Sequence, residues 1–457
     1  MHASLATLQP ILTDAVMTQD AHFNNVSTDS RHLASGDLFV ALRGERFDAH
    51  DFLPQLDASQ VSAVIAERVP AVFDVPALIV PDTRKALGEI AHYWRRQFGL
   101  PVIGVTGSNG KTTVKEMIAA ILEAAFGEDR YLATRGNFNN EIGVPLTLMR
   151  LHADCKAAVI ELGMNHPGEI AVLSAIAEPT VGLVNNAQRE HQEFMASVEA
   201  VARENGAVLS HLPADGVAVF PADDPFTALW FECAASSGVR TMTFGLTESA
   251  DVHCSYKASD FGSELQVVAG DENFTLTLAA AGLHNVRNAL AAIACTHAIG
   301  IKADAIVRGL QAFTPVSGRL QRKIAANGAL VIDDTYNANP DSVRAAIDVL
   351  ASATTTRILV LGDMGEVGND GPQYHEEIGT YARDKGIQYV LAAGELTLHT
   401  VRAFGRNASH YDDVNMLCIA LDSLLHANTT VLVKGSRFMQ MERVVQHLLN
   451  QPIQGTH

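Results

Sequence analysis

The chain has 457 residues, a formal charge of −18, 47% hydrophobic and 18% charged residues; this exceeds one ordinary hydrophobic core and, at roughly 100–200 residues per domain, points to two to four domains, with three the natural number. The acidity excludes a general nucleic-acid binder, which needs a basic stripe to displace counterions from phosphates. Five scattered cysteines without a C-x-x-C pair exclude a disulfide framework or zinc site, and with neither a secretory leader nor a membrane span in the sequence a cytoplasmic protein is expected.

Short apolar runs suited to buried parallel strands alternate with amphipathic stretches of helical length, so the fold class is α/β. In chain order the strands read DLFVAL, VSAVIAE, PVIGVTG, KAAVIELG, TVGLVNNA, GVAVFPAD, GALVIDD, RILVLGDM, IQYVLAAG and TTVLVKG. Two breaks divide the series. A long helix ends near Phe98-Gly99 before Pro101 opens a strand, and Pro315 and Gly318 interrupt helical periodicity in AFTPVSGRLQ. Domains are expected at 1–98, 99–313 and 314–457. The basic cluster Trp94-Arg95-Arg96 is expected to cap a helix surface.

PVIGVTGSNGKTTVKEMI (Pro101 to Ile118) places a glycine-rich loop between a strand and a helix. The strict G-x-x-x-x-G-K-[ST] pattern wants glycine where Val105 stands, yet the working parts of a phosphate cradle are present. Gly107 and Gly110 let backbone N–H groups of a loop that includes Ser108, Asn109 and Thr113 approach an anion at a helix N-terminus. Lys111 can reach the β and γ phosphates of ATP, and Thr112 can ligate Mg2+. A chance lysine in a glycine-rich turn would explain a lone G-x-G-x-x-G, but not Gly-Lys-Thr-Thr after an apolar strand. Glu161 ends the next apolar strand and His191 follows the one after, where open α/β sheets place ligands; both suit magnesium beside phosphates. In IDDTYNANPDSVRAAI, Asn339 reads as a helix N-cap with Pro340 at the first helical position.

T-G-S-N-G-K-T-T, followed in order by TRGNFNNEIGVPLTL, AVIELGMNHPGEI, NNAQREHQEF and GLHNVRNALAAIA, resembles the Mur ligase family over essentially the whole chain. The resemblance implies a three-domain architecture with a central P-loop parallel-sheet domain and a Rossmann-like C-terminal domain. It implies that Lys111, Glu161 and His191 are catalytic, that Thr112, Glu161 and His191 hold the metal, and that Asn288 contacts adenine. Asn288 could equally be a helix residue bonding its own backbone. Ser30, Arg31, Asn137 and Asn140 are implied to bind the uridine nucleotide substrate. Arg319, Asp334, Tyr336 and Asn339 would reach ATP when the third domain swings in.

PVSGRLQ, DDTYNANP, VLGDMGEVG and VLVKGSRFMQMERVV, with VSTDSRHLASGDLFVALRGERFDAHDF near the start, are similar to the branch that joins D-alanyl-D-alanine to UDP-N-acetylmuramoyl-tripeptide through an acyl phosphate. A monomer acting on these two small molecules, without a nucleic-acid partner, is expected. The alternatives are another ligase of the family, adding a single amino acid or a glutamate to folate, and a regulatory P-loop ATPase. The GDMGEVG turn and His375 either line the dipeptide site or form a strand-end turn and an ordinary helix histidine.

One departure from the family pattern stands out. Where the family has a lysine that becomes carbamylated, this chain has Asn205, and no lysine occurs between Lys156 and Lys257. Arg203 cannot substitute, because a guanidinium stays protonated. The missing negative charge is expected from Glu204 or from a water ordered by Asn205.

Overall fold

In the computed structural model the described residues are 1–450 apart from 45, 58, 191 and 260. All ten apolar runs form strands. Val102–Thr106, Ala157–Glu161, Val181–Val184 and Val217–Pro221 are buried at every position, as parallel strands covered by helices on both faces must be. That is why they read as unbroken apolar runs rather than alternating ones.

These strands lie within a nine-stranded sheet of described residues, in which the chain runs from Val102–Thr106 to the edge strand Tyr131–Ala133 and back to Ala157–Glu161. It then crosses to the other side of Val102–Thr106 at Val181–Val184. The reversal puts the C-terminal ends of these three inner strands at a topological switch point. Beyond Arg240–Gly245 the sheet continues as an antiparallel meander, Val252–Ser259, Gly262–Ala269 and Glu272–Leu278. The meander goes beyond the strands expected from the sequence, because Gly262–Ala269 and Glu272–Leu278 largely alternate buried and exposed residues.

Among the described residues a five-stranded sheet comes from residues 16–79 and a six-stranded one from residues 321–434; each is parallel except for one antiparallel edge pair. The two junctions with the central sheet differ in kind. Leu87, Ile90 and Ala91 of the helix Thr83–Arg95 share one core with Leu148, Met149, Leu173 and Ala177 of the central unit. The buried residues of the two C-terminal cores all fall between 325 and 448, with the half-buried Phe261 and Ala281 reaching in from the central unit.

The first junction corrects the expectation for Trp94-Arg95-Arg96. Arg95 is buried rather than on the helix surface. Its guanidinium donates to the carbonyls of Ala177 (3.1 Å), Phe98 (2.7 Å), Glu178 (3.2 Å) and Leu100 (3.5 Å). It thereby satisfies the orphan C-terminal carbonyls of the helix Glu169–Ala177 and ties the first unit to the second. Burial pushes its pKa down, but a guanidinium remains charged. Arg95→Ala is expected to lower stability by about 3 kcal/mol, because several buried carbonyls lose a charged donor, and to leave the nucleotide affinity of the folded protein unchanged; urea unfolding and ADP titration check both.

Candidate active site

The phosphate loop joins Val102–Thr106 to the helix Lys111–Phe126 at the switch point. Val105 is fully buried within the strand and packs in the core with Val114 and Ile118, so the loop proper begins at Gly107. Gly110 has φ 84°. A Cβ there would lie 2.7 Å from Asn185 Nδ2 and closer still to Asn288 Oδ1, so both backbone angle and space demand glycine. Val114, Met117, Ile118, Ile121 and Leu122 bury one face of the following helix. Its first N–H groups, which lack intrahelical partners, therefore stay fixed at the sheet's C-terminal edge.

The loop's outer polar groups are met by carboxamides that follow the strand Val181–Val184. Asn109 N–H donates to Asn186 Oδ1 (2.9 Å), and Asn109 O accepts from Asn185 Nδ2 (2.8 Å) and Asn186 Nδ2 (2.9 Å). Ser108 N–H donates to Asn186 O (3.1 Å), and Gln188 N–H donates to Ser108 Oγ (2.8 Å). Asn288, on the helix Leu283–Ala298, accepts from Asn185 Nδ2 (2.9 Å) and donates to Asn285 Oδ1 (3.1 Å). Its amide thus braces the loop. Asn185, Asn186 and Gln188 were absent from the sequence-derived candidates, although an Asn-Asn pair directly after a buried strand was the available signal.

Glu161 ends its strand beside the loop and is buried. Its Oε1 accepts from Thr112 Oγ1 (3.1 Å) and from Asn139 Nδ2 (2.9 Å), while Oε2 has no hydrogen-bond partner among the described residues. A buried carboxylate oxygen left open next to a threonine hydroxyl is a hard-oxygen set that fits a divalent cation such as magnesium. His191, the third expected ligand, lies outside the described residues. Lys111 Nζ donates to the carbonyls of Gly107 and Ser108 and lies 3.4 Å from Glu190 Oε2.

These groups open into a cavity of about 1200 Å3, larger than the roughly 300–1,000 Å3 that holds one drug-sized ligand. Ser108, Asn109, Gly110, Lys111, Thr112, Thr113, Asn137, Asn140, Glu161 and Asn288 line it from the central unit. Arg319, Asp334, Tyr336 and Asn339 line it from the C-terminal unit. Arg319 Nη2 donates to Thr112 Oγ1 (3.0 Å) and its guanidinium lies over the Tyr336 ring, 4.2 Å from the centroid. Asn339 caps the helix Pro340–Ala351 as expected and donates from Nδ2 to Asn109 Oδ1 (2.9 Å). Asp334 accepts from Lys434 Nζ (2.6 Å) and from Leu320 N–H (3.1 Å), so it orients the Arg319 turn. Burial pushes the pKa of His284, which also lines the cavity, down to about 4 and keeps it neutral at pH 7.

Other expected residues fall elsewhere. Ser30 and Arg31 lie on an exposed turn outside the cavity lining, where Arg31 pairs with Asp29 at 2.9 Å. Gly365, Glu366 and Val367 line the cavity, but His375 is fully buried inside the third unit, bonded to Gly371 O (2.8 Å) and Met364 N–H (3.2 Å). It is a packing histidine. Glu204 accepts from the N–H groups of Gly168 and Ile170, both at 2.8 Å, and so caps the helix Glu169–Ala177. Asn205 is fully buried, accepts from Thr106 Oγ1 (2.5 Å) and does not line the cavity. Glu204 is thus engaged in capping and does not line the cavity, while Asn205 keeps a buried Nδ2 without a hydrogen-bond partner among the described residues.

A phosphate loop at a switch point, a strand-end carboxylate and a third unit reaching over both define a nucleotide-dependent enzyme of three units. Three family models match in succession: the Mur ligase family catalytic domain at residues 22–95, the Mur ligase middle domain at 105–296 and the Mur ligase glutamate ligase domain at 318–437. The UDP-N-acetylmuramoyl-tripeptide–D-alanyl-D-alanine ligase of Escherichia coli K12 is 40% identical over 447 residues, 97% of this chain and 98% of the relative. The crystal structure of MurF from Acinetobacter baumannii superposes with a TM-score of 0.92 at 34% identity, covering 99% of both chains. MurF ligase from Thermotoga maritima in complex with ADP gives 0.84 at 26% identity, covering 94% of this chain and 97% of that one. The chain belongs to the Mur ligase family.

Asn185→Ala is expected to weaken ADP binding by about tenfold, since removing one brace leaves Asn109 O and Asn288 with lost partners worth about 1–2 kcal/mol. Titration calorimetry with ADP checks this.

Proposed function

We propose that the protein is an ATP-dependent, ADP-forming ligase that joins D-alanyl-D-alanine to UDP-N-acetylmuramoyl-tripeptide, acting as a cytoplasmic monomer. The observation that carries this reading is the convergence of the phosphate loop, Glu161, Arg319 and Asn339 on one cavity large enough for more than one ligand. The relatives named for this reaction match across nearly their whole length. In this reading the first sheet unit takes the uridine nucleotide, the second ATP and the third the dipeptide.

A carboxylate and an amine do not condense in water unless the carboxylate is first activated. The terminal carboxylate oxygen of the tripeptide attacks the γ-phosphorus of ATP, the bond to the β–γ bridging oxygen breaks, and ADP leaves with that oxygen. Lys111 and the first N–H groups of its helix neutralise charge on the phosphates, and Arg319 adds a second cation from the third unit. This is the positioning and electrostatic task common to phosphoryl-transfer sites. Thr112 and Glu161, with His191 by resemblance, would hold Mg2+, which when bound supplies further charge neutralisation. The dipeptide amine then attacks the acyl carbon, loses a proton, and inorganic phosphate departs from the tetrahedral intermediate. The closed third unit excludes water that would otherwise hydrolyse the acyl phosphate.

Phosphate release from ATP is expected only when the uridine tripeptide and the dipeptide are both present, with a peptide-extended nucleotide seen by mass; brisk release with neither would instead mark a regulatory ATPase. Glu161→Gln is expected to lower kcat/KM by at least about 100-fold, as losing one preorganised electrostatic contact to the transition state does, and to raise the magnesium concentration needed for half activity. With Asn205 where the family has the carbamylated lysine and no lysine between Lys156 and Lys257, rates in CO2-free buffer should equal those with added bicarbonate, and a bicarbonate requirement would contradict this account of the site.

A further inference from the structure

Residues 185–190 face two ways. The first of them hold the phosphate loop, and the later ones leave the central unit to meet the third. Arg189 donates from its backbone N–H to Asp341 Oδ2 (2.9 Å), and its Nη2 reaches Asp341 Oδ1 (2.6 Å). The same guanidinium bonds both oxygens of Glu377, at 2.7 and 3.1 Å, and lies over the ring of Tyr374. Glu377 in turn accepts from Arg344 Nη1 (2.8 Å). Glu193 N–H adds a backbone bond to Glu366 O (3.3 Å).

Asp341 lies in the first turn of the helix Pro340–Ala351 and Glu377 lies on the helix Gly371–Asp384. One arginine thus grips two helices of the third unit, which only a planar fork of five donors can do for two carboxylates at once. The first of those helices is fixed again two residues earlier, where Asn339 meets Asn109 of the phosphate loop. Isolated surface ion pairs contribute little to stability. Here Arg189, Asp341 and Glu377 retain 22%, 24% and 30% exposure within a four-charge network that spans a largely polar junction. Such a network bears on how the two units dock rather than on the fold of either.

We propose that Arg189 is a positioning residue: it latches the third unit shut over the phosphate loop and so couples ATP binding to dipeptide binding. The inference rests on the ligase reading above, because it needs a dipeptide that binds the closed form.

The test is calorimetric titration of a non-hydrolysable ATP analogue into the full-length protein with magnesium and UDP-N-acetylmuramoyl-tripeptide, with and without D-alanyl-D-alanine. In the wild type the dipeptide should tighten analogue binding within the roughly 5–150-fold range usual for coupled sites, and this factor should shrink as salt rises. Arg189→Ala should bring the factor close to one while leaving analogue affinity without dipeptide, and the melting temperature, unchanged. Arg189→Lys, which keeps charge but cannot fork, should recover only part. Glu377→Gln, outside the cavity and on the other side of the junction, should reduce the factor without touching the phosphate loop. Full wild-type coupling in both Arg189→Ala and Glu377→Gln would overturn the latch and leave the ligase reading standing. A wild type that shows no dipeptide effect and forms no peptide product would overturn both.

Discussion

A phosphate loop must keep some backbone N–H groups for an anion, so others have to hold its shape: Ser108 and Asn109 N–H bond Asn186, and the first N–H groups of the helix Lys111–Phe126 are left for a ligand. Here that shape is imposed from outside by carboxamides: Asn185 and Asn186 clasp the peptide of Asn109, and Asn288 backs Asn185 from a neighbouring helix. Gly110 is glycine because these amides occupy the space its side chain would need. The geometry of the groups around the loop depends on this brace. Thr112 lies in the first turn of the helix that the loop launches and donates to Glu161, and Arg319 reaches across from the third unit to the same hydroxyl.

The two unit junctions differ because their tasks differ. The first unit shares a hydrophobic core with the second and is pinned by Arg95 on four carbonyls, an arrangement that could separate only by exposing apolar surface and stranding a buried charge. The third unit keeps cores of its own and meets the loop largely through hydrogen bonds and ion pairs, which water can replace when the units part. A third unit joined by polar contacts over a shared cavity suits a reaction whose activated intermediate must be kept from water.

The parallel strands, the phosphate loop and the Asn339 cap were legible in the sequence because each has a local cause: continuous apolar runs, glycines at a strand-to-helix turn, and Asn-Pro before a helical period. What escaped reading depends on partners distant in the chain. The meander after Arg240–Gly245 buries alternate residues and so lacks an apolar run. Arg95 looks like surface charge until the end of the helix Glu169–Ala177 is brought against it. His375 sits near a glycine-rich turn that does line the cavity, yet its ring points into the core of its own unit and bonds backbone groups there. Arg189 lies inside the NNAQREHQEF stretch, yet nothing local reveals its task, because its two acidic partners lie 152 and 188 residues further on.

The central claim is that the cavity serves to activate a carboxylate by phosphoryl transfer before an amine attacks it. The most direct measurement uses UDP-N-acetylmuramoyl-tripeptide with both oxygens of the reacting carboxylate labelled with oxygen-18, turned over with ATP and D-alanyl-D-alanine. The account predicts that each phosphate released carries one labelled oxygen, because the carboxylate oxygen that attacked phosphorus departs with it. Phosphate released without label would mean that ATP is cleaved by water, and would contradict the proposed chemistry.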